Sequence, residues 1–129
     1  MKWLFLLLLV PTQLVLAQSK PAKVYSYVEQ MPELPAGGGT AGIAMAILKR
    51  LKVTKAALEA SEGRPAVYFE VTPTGQVQHV RMTRSSHSVG LDAALMGAVK
   101  SLPTFKPGYQ SGHPVTVSFN IPIACIKPQ

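Results

Sequence analysis

The sequence predicts a small α+β domain, a three-stranded antiparallel sheet with two helices packed on one face. Three observations carry this. Leu91, Leu95, Ala98, Val99 and Leu102 recur at helical spacing and give one apolar stripe. Val115, Val117, Phe119, Ile121 and Ile123 alternate with Pro114, Thr116, Ser118, Asn120 and Pro122, the period of a strand with one buried and one polar face. Val67, Phe69 and Val71 alternate in the same way with Ala66, Tyr68 and Glu70. They lead through Pro73-Thr74-Gly75 into a second run with Val80 and Met82 inward and His79 and Arg81 outward, which reads as a hairpin. Helices laid on one face of such a sheet bury both apolar surfaces.

Taken in order, Met1 to Ala17 has a positive Lys2, an apolar run from Trp3 to Val10 and small residues before Gln18. This is the pattern of a secretory signal peptide cleaved near Ala17. The alternative is a short N-terminal anchor facing the periplasm from the inner membrane. A spanning helix needs about 20 continuous apolar residues, and Pro11, Thr12 and Gln13 interrupt this one. Residues 18–39 read as a linker: Val24, Tyr25, Tyr27 and Val28 can form a short extended segment, and Met31 to Pro35 and Gly37-Gly38-Gly39 then break regular structure. The triple glycine lacks the Lys-Ser/Thr ending of a phosphate-binding loop, so it reads as a hinge.

Residues 40–127 read as the folded domain. Thr40 is a candidate cap for a helix running to about Lys52, with Ile43, Ile47 and Leu51 as its stripe and Lys49, Arg50 and Lys52 at its negative end. Thr54 is placed to cap a second helical turn, Lys55 to Ala60. In the hairpin, Val77 is out of phase with Val80, which predicts a bulge or a frayed start after the turn. Ser85 to Gly90 reads as a polar loop, and Asp92 sits in the first turn of the next helix, where the dipole favours a carboxylate. Pro103 and Pro107-Gly108 end that helix and turn the chain into the last strand.

Composition narrows the function. The 129 residues carry 13 Lys+Arg against 6 Asp+Glu, a formal charge of +7. A basic balance suits nucleic acid, an anionic surface or an acidic partner segment. With 15% charged and 47% hydrophobic residues, however, the chain is a folded domain rather than a basic tail. It also lacks the strand-borne aromatic platform with clustered Arg and Lys that nucleic acid favours. The single cysteine, Cys125, rules out an internal disulfide and a thiolate metal cage, and its apolar setting reads as a small buried residue. The six carboxylates are scattered over different elements, and His79, His87 and His113 lack ligand spacing. No G-x-S-x-G elbow surrounds Ser85, Ser86 or Ser88. The chain reads as a non-enzyme with no metal and no cofactor.

Several segments then fall into a recognisable order. Glu62-Gly63-Arg64 precedes the first long strand, and Tyr68-Phe69-Glu70-Val71 runs through Gly75-Gln76-Val77. Leu91-Asp92-Ala93-Ala94 opens the helix, and Leu102-Pro103-Thr104-Phe105-Lys106-Pro107-Gly108 closes it. Gly112-His113-Pro114-Val115 leads into Phe119-Asn120-Ile121-Pro122-Ile123. Together they resemble the C-terminal domain of the TonB family, the periplasmic energy transducers of Gram-negative bacteria, from about Val24 onward.

The resemblance implies a domain that binds the short N-terminal box of outer-membrane TonB-dependent receptors by adding it as a strand to the sheet, in support of transmembrane transport. Affinity then comes from main-chain hydrogen bonds and specificity from side-chain pockets. The last strand is the implied acceptor, and Pro122 marks an edge, since proline in sheets belongs there. Carried over by position, Arg50, Leu51, Lys52, Val53 and Thr54 flank the incoming peptide. Thr116, Val117, Ser118, Phe119 and Asn120 form the docking strand, with Thr116, Ser118 and Asn120 facing away from the core. Two departures stand out. Val53-Thr54 replaces the family's usual Tyr-Pro, and the linker is short, roughly 20 residues or at most ~70 Å when fully extended. Inner-membrane motor proteins are therefore implied partners only if the N-terminus is retained. The alternative function is an envelope scaffold or self-pairing module without energy transduction, a homodimer included.

Overall fold

The alternating runs of the sequence lie side by side. A computed structural model of the chain describes residues 23–51 and 64–123. Its elements are β1 (Val24–Tyr25), α1 (Gly39–Arg50), β2 (Ala66–Val71), β3 (Val77–Arg84), α2 (Val89–Lys100), β4 (Gly108–Gln110) and β5 (His113–Pro122). β2 pairs antiparallel with β5, from Ala66 opposite Pro122 to Val71 opposite Val117. It pairs on its other side with β3, from Ala66 opposite Arg84 to Val71 opposite Val77. The inward residues Val67, Phe69, Val71, Val117, Phe119 and Ile121 form one core with Ile43 and Ile47 of α1 and Leu91, Leu95 and Val99 of α2. At its centre Phe69 lies 5.4 Å from Phe119 and 6.1 Å from Phe105 between ring centroids.

The α+β class is as predicted, but the sheet is not a three-stranded antiparallel one. It has five strands in the order β1-β5-β2-β3, with β4 also pairing β5, and β1 runs parallel to β5. The two additions escape the sequence for different reasons. Pro107-Gly108 reads as the turn, whereas the chain reverses at Ser111-Gly112, with φ of 53° and 79°. Two successive positive φ values are what a tight hairpin loop needs, and they leave Gly108–Gln110 free to pair with His113–Val115. β1 is two residues long, too short to show a period.

From Lys23 onward, the stretch before α1 packs on the domain. Val28 and Leu34 are buried in the core, and Gln30 and Glu33 exchange main-chain hydrogen bonds with Tyr109 and Lys106. α1 starts two residues earlier than a Thr40 cap predicts, at Gly39. The chain enters from Gly38 in the left-handed conformation, with no side-chain cap. The helix ends at Arg50, two residues short of Lys52, where Leu51 turns extended. α2 begins at Val89 because the Ser88 hydroxyl accepts from Leu91 N–H at 3.2 Å, a cap hidden inside the presumed loop. Asp92 reaches back from its first turn to accept from the Ser85 hydroxyl (2.6 Å) and from the Ser86 N–H and hydroxyl (2.8 and 2.7 Å).

The β2–β3 turn needs its glycine: Gly75 has φ +88°, and a Cβ there would lie 2.0 Å from the Phe105 carbonyl oxygen. That closeness is used, since Phe105 N–H donates to Gly75 C=O at 2.8 Å and pins the α2–β4 connection to the hairpin. The expected bulge is real and lies in β3: two residues, His79 and Val80, stand opposite Phe69, and His79 has φ 53°. The N-terminal 17 residues, the Thr54-capped turn and Cys125 lie outside the described residues. Among the described residues no helix is long and apolar enough to cross a membrane.

Candidate functional site

A sheet can accept another strand only where an edge is unpaired, and this one offers the outer side of β3 and the part of β5 that lies beyond the two residues of β1. β3 is defended. Its bulge kinks the edge at His79, and Arg81 and Arg84 add charge. β5 carries no charged side chain between Pro114 and Ile123.

The direction of its backbone groups follows from one bond. Ile123 N–H donates to Pro65 C=O at 2.9 Å, on the β2 side. Bonding direction alternates along an antiparallel ladder, so Val117, Phe119 and Ile121 also turn their backbone groups toward β2. Thr116, Ser118, Asn120 and Pro122 turn theirs outward. β1 lies against the first part of this outer side, with Val24 opposite Thr116 and Tyr25 opposite Val117. The Ser118 hydroxyl donates to Tyr25 C=O at 3.4 Å. Beyond Ser118, the N–H and C=O of Asn120 and the C=O of Pro122 have no strand partner among the described residues. Pro114 and Pro122 bracket the edge, both on the outward side, where a missing N–H breaks no ladder.

The residues anticipated to contact a partner fall into three groups. Val117 and Phe119 are buried core residues, so a ligand on this edge meets neither their side chains nor their inward-bonded backbone. Ser118 and Asn120 lie on the outward face, as does Thr116, which is only 5% exposed with β1 beside it. Arg50 and Leu51 end α1, and the Arg50 guanidinium donates to Ser101 C=O and Ala46 C=O, both at 3.3 Å, tying the ends of the two helices together. Lys52, Val53 and Thr54 lie outside the described residues.

The outward face of the sheet also carries a polar cluster that the sequence hid. Glu70 is 7% exposed although it belongs to the polar set of β2. It accepts from the Tyr68 hydroxyl (2.7 Å) and from Gln78 Nε2 (3.1 Å), and it lies 2.8 Å from His79 Nδ1. The bulge makes this possible, because it turns Gln78 and His79 toward the same carboxylate. Arg81 stacks over the Tyr68 ring at 4.0 Å. Burial pushes the Glu70 carboxyl up, but the bonds from Tyr68, His79 and Gln78 outweigh it and hold the group below its ordinary value. At Asp92 burial likewise acts upward and is outweighed by the bonds from Ser85 and Ser86.

Both shifts leave the folded state binding fewer protons than the unfolded chain. The stability they contribute is present above the ordinary carboxylate value, about 4.3 for Glu and 3.9 for Asp, and is lost as pH falls through the lowered folded values. Glu70→Gln is therefore expected to lose less stability than wild type between pH 5 and pH 3, read as urea midpoints across that range. Parallel curves for the two proteins would refute the role given to Glu70.

No group of three His, Cys, Asp or Glu side chains suited to a metal ion occurs among the described residues. A concavity of about 370 Å³ lies beside α1, lined by Leu34, Met45 and Pro103 with Lys49 and Arg50. Arg50 is already committed to carbonyls there.

The family model for the C-terminal region of the Gram-negative bacterial TonB protein matches residues 54–124. The match takes in β2, β3, α2, β4 and β5 and leaves β1 and α1 outside. No curated protein and no solved structure matches the chain.

Proposed function

Since the chain belongs to the TonB C-terminal family, we propose that it is a periplasmic docking module that takes up the box segment of outer-membrane receptors as an added strand on β5, in support of TonB-dependent transport. The family's domain is a non-enzymatic, protein-interaction and energy-transducing one. The observation that supports the reading best is the contrast between the two sheet edges. β3 is kinked and charged, whereas β5 is uncharged and leaves main-chain groups at Asn120 and Pro122 without a strand partner among the described residues. Strand addition draws affinity from such groups, at roughly 0.5–1.5 kcal/mol net per hydrogen bond. Ser118 and Asn120 supply the outward side chains next to the incoming strand.

The test is a titration of the full chain with fluorescently labelled peptides from the N-terminal segments of outer-membrane receptors. Saturable binding with Kd on the order of micromolar is expected, about −8 kcal/mol. A folded protein that binds none of these peptides would refute the reading. The open edge favours one other reading, pairing with a second copy of the chain. Sedimentation separates the two, since a stable dimer at micromolar concentration that no receptor peptide dissociates supports self-pairing.

A further inference from the structure

The outer side of β5 is only partly free, because the chain already occupies it with its own β1. Val24 and Tyr25 lie parallel to β5 along Thr116 and Val117 and extend to Ser118 through the Tyr25 carbonyl. What remains open is one donor, Asn120 N–H, and the carbonyls of Asn120 and Pro122. That is a short ladder for a strand that draws its affinity from the main chain. With β1 removed, the outward groups of Thr116 and Ser118 join it, and the edge extends unbroken from Pro114 to Pro122.

β1 is held in a way that permits removal. It is two residues long, Val24 is 42% exposed, the Ser118 hydroxyl of β5 reaches the Tyr25 carbonyl only at 3.4 Å, and the half-buried Tyr25 ring is its contact with the core. The next residues bend away, with Tyr27 80% exposed. Lys23 covers the Tyr25 ring from outside, its ammonium 4.9 Å from the centroid. The firm anchors come later, at buried Val28 and at Gln30, which exchanges hydrogen bonds with Tyr109 at 3.2 and 2.9 Å. β1 can therefore leave while the segment behind it stays fixed, which keeps it at high local concentration for return.

On the reading that β5 receives a receptor segment, we propose that β1 is a displaceable latch on the docking edge. An incoming strand lands at Asn120–Pro122 and completes its ladder by expelling Val24–Tyr25 from Thr116–Ser118. The apparent affinity is then the intrinsic one reduced by the fraction of molecules with β1 open.

Two full-length variants test this with the labelled receptor peptide as probe. Val24→Gly/Tyr25→Gly removes both side chains and loosens the backbone, opening the latch. It is expected to bind about fivefold tighter, the population ratio equivalent to one net hydrogen bond. Val24→Cys/Thr116→Cys in a C125S background joins paired positions on adjacent strands, whose spacing of about 4.8 Å lies within disulfide range. Once thiol titration shows the bond formed, the peptide is expected to bind at least tenfold more weakly, with recovery on reduction. Wild-type affinity in both the opened and the oxidised variant would overturn the latch and leave docking on β5 intact. No binding by any of them, with folding confirmed by circular dichroism, would overturn the docking reading and the latch with it.

Discussion

Asn120→Pro is expected to weaken receptor-peptide binding by at least about tenfold, while Asn120→Ala stays within about twofold of wild type. Asn120 turns its backbone groups outward, so proline removes the donor that an incoming strand meets first. A peptide carbonyl left unpaired against the edge loses about 1–3 kcal/mol, and 1.4 kcal/mol is a tenfold change in Kd. The fold should tolerate the change because the β2 ladder is bonded by the neighbouring residues. Pro114 and Pro122 already stand on the same side, and Phe119, the residue before the new proline, is already extended as proline requires. Both substitutions remove the acceptor that Asn120 Oδ1 offers the Thr83 hydroxyl at 2.7 Å. The alanine variant therefore controls for the side chain and isolates the N–H. Equal peptide binding by the two variants would show that the main chain at this position carries no affinity.

Phe69→Ala is expected to lower the melting temperature by roughly 15–30 °C and to abolish binding near physiological temperature through loss of the folded state. Phe69 is fully buried, stacks on Phe119 and lies tilted at 45° to the Phe105 ring, so it joins β2, β5 and the connection after α2. Truncating a buried Phe costs about 3–5 kcal/mol, and each kcal/mol shifts the midpoint of a domain this size by about 4–8 °C. Phe69→Leu keeps most of the volume and should recover more than half of the loss. The measurement is thermal and urea unfolding of the three proteins. A loss below about 1 kcal/mol for the alanine variant would mean that the aromatic cluster is not the centre of the core.

Much of the fold was legible because it rests on periods. Val67, Phe69 and Val71, the alternation from Val115 to Ile123 and the stripe from Leu91 to Val99 each report which side faces the core. All of these side chains lie there. The same alternation made Ser118 and Asn120 recognisable as outward residues. The unread parts depend on single residues or on distant pairing. Ser88 caps α2 from within a run of polar residues where several serines are equally plausible. β4 appears only when the reversal is moved from Pro107-Gly108 to Ser111-Gly112, and nothing local ranks Ser111 above proline as a turn residue. β1 is defined by a partner more than 90 residues away, and two residues cannot display a period. The burial of Glu70 needed the register slip at His79; the out-of-phase Val77 announced a bulge without saying which side chains it would bring together.

The central claim is that the outer edge of β5 receives the strand of a partner. The most direct measurement follows the backbone amides of isotopically labelled full-length chain by NMR during titration with a receptor peptide. Docking on β5 requires that the amide of Asn120 shift and gain protection from exchange as the peptide saturates, while those of Arg81 and Arg84 on β3 stay in place. Saturation that leaves the β5 amides unmoved, or that moves β3 instead, would contradict it.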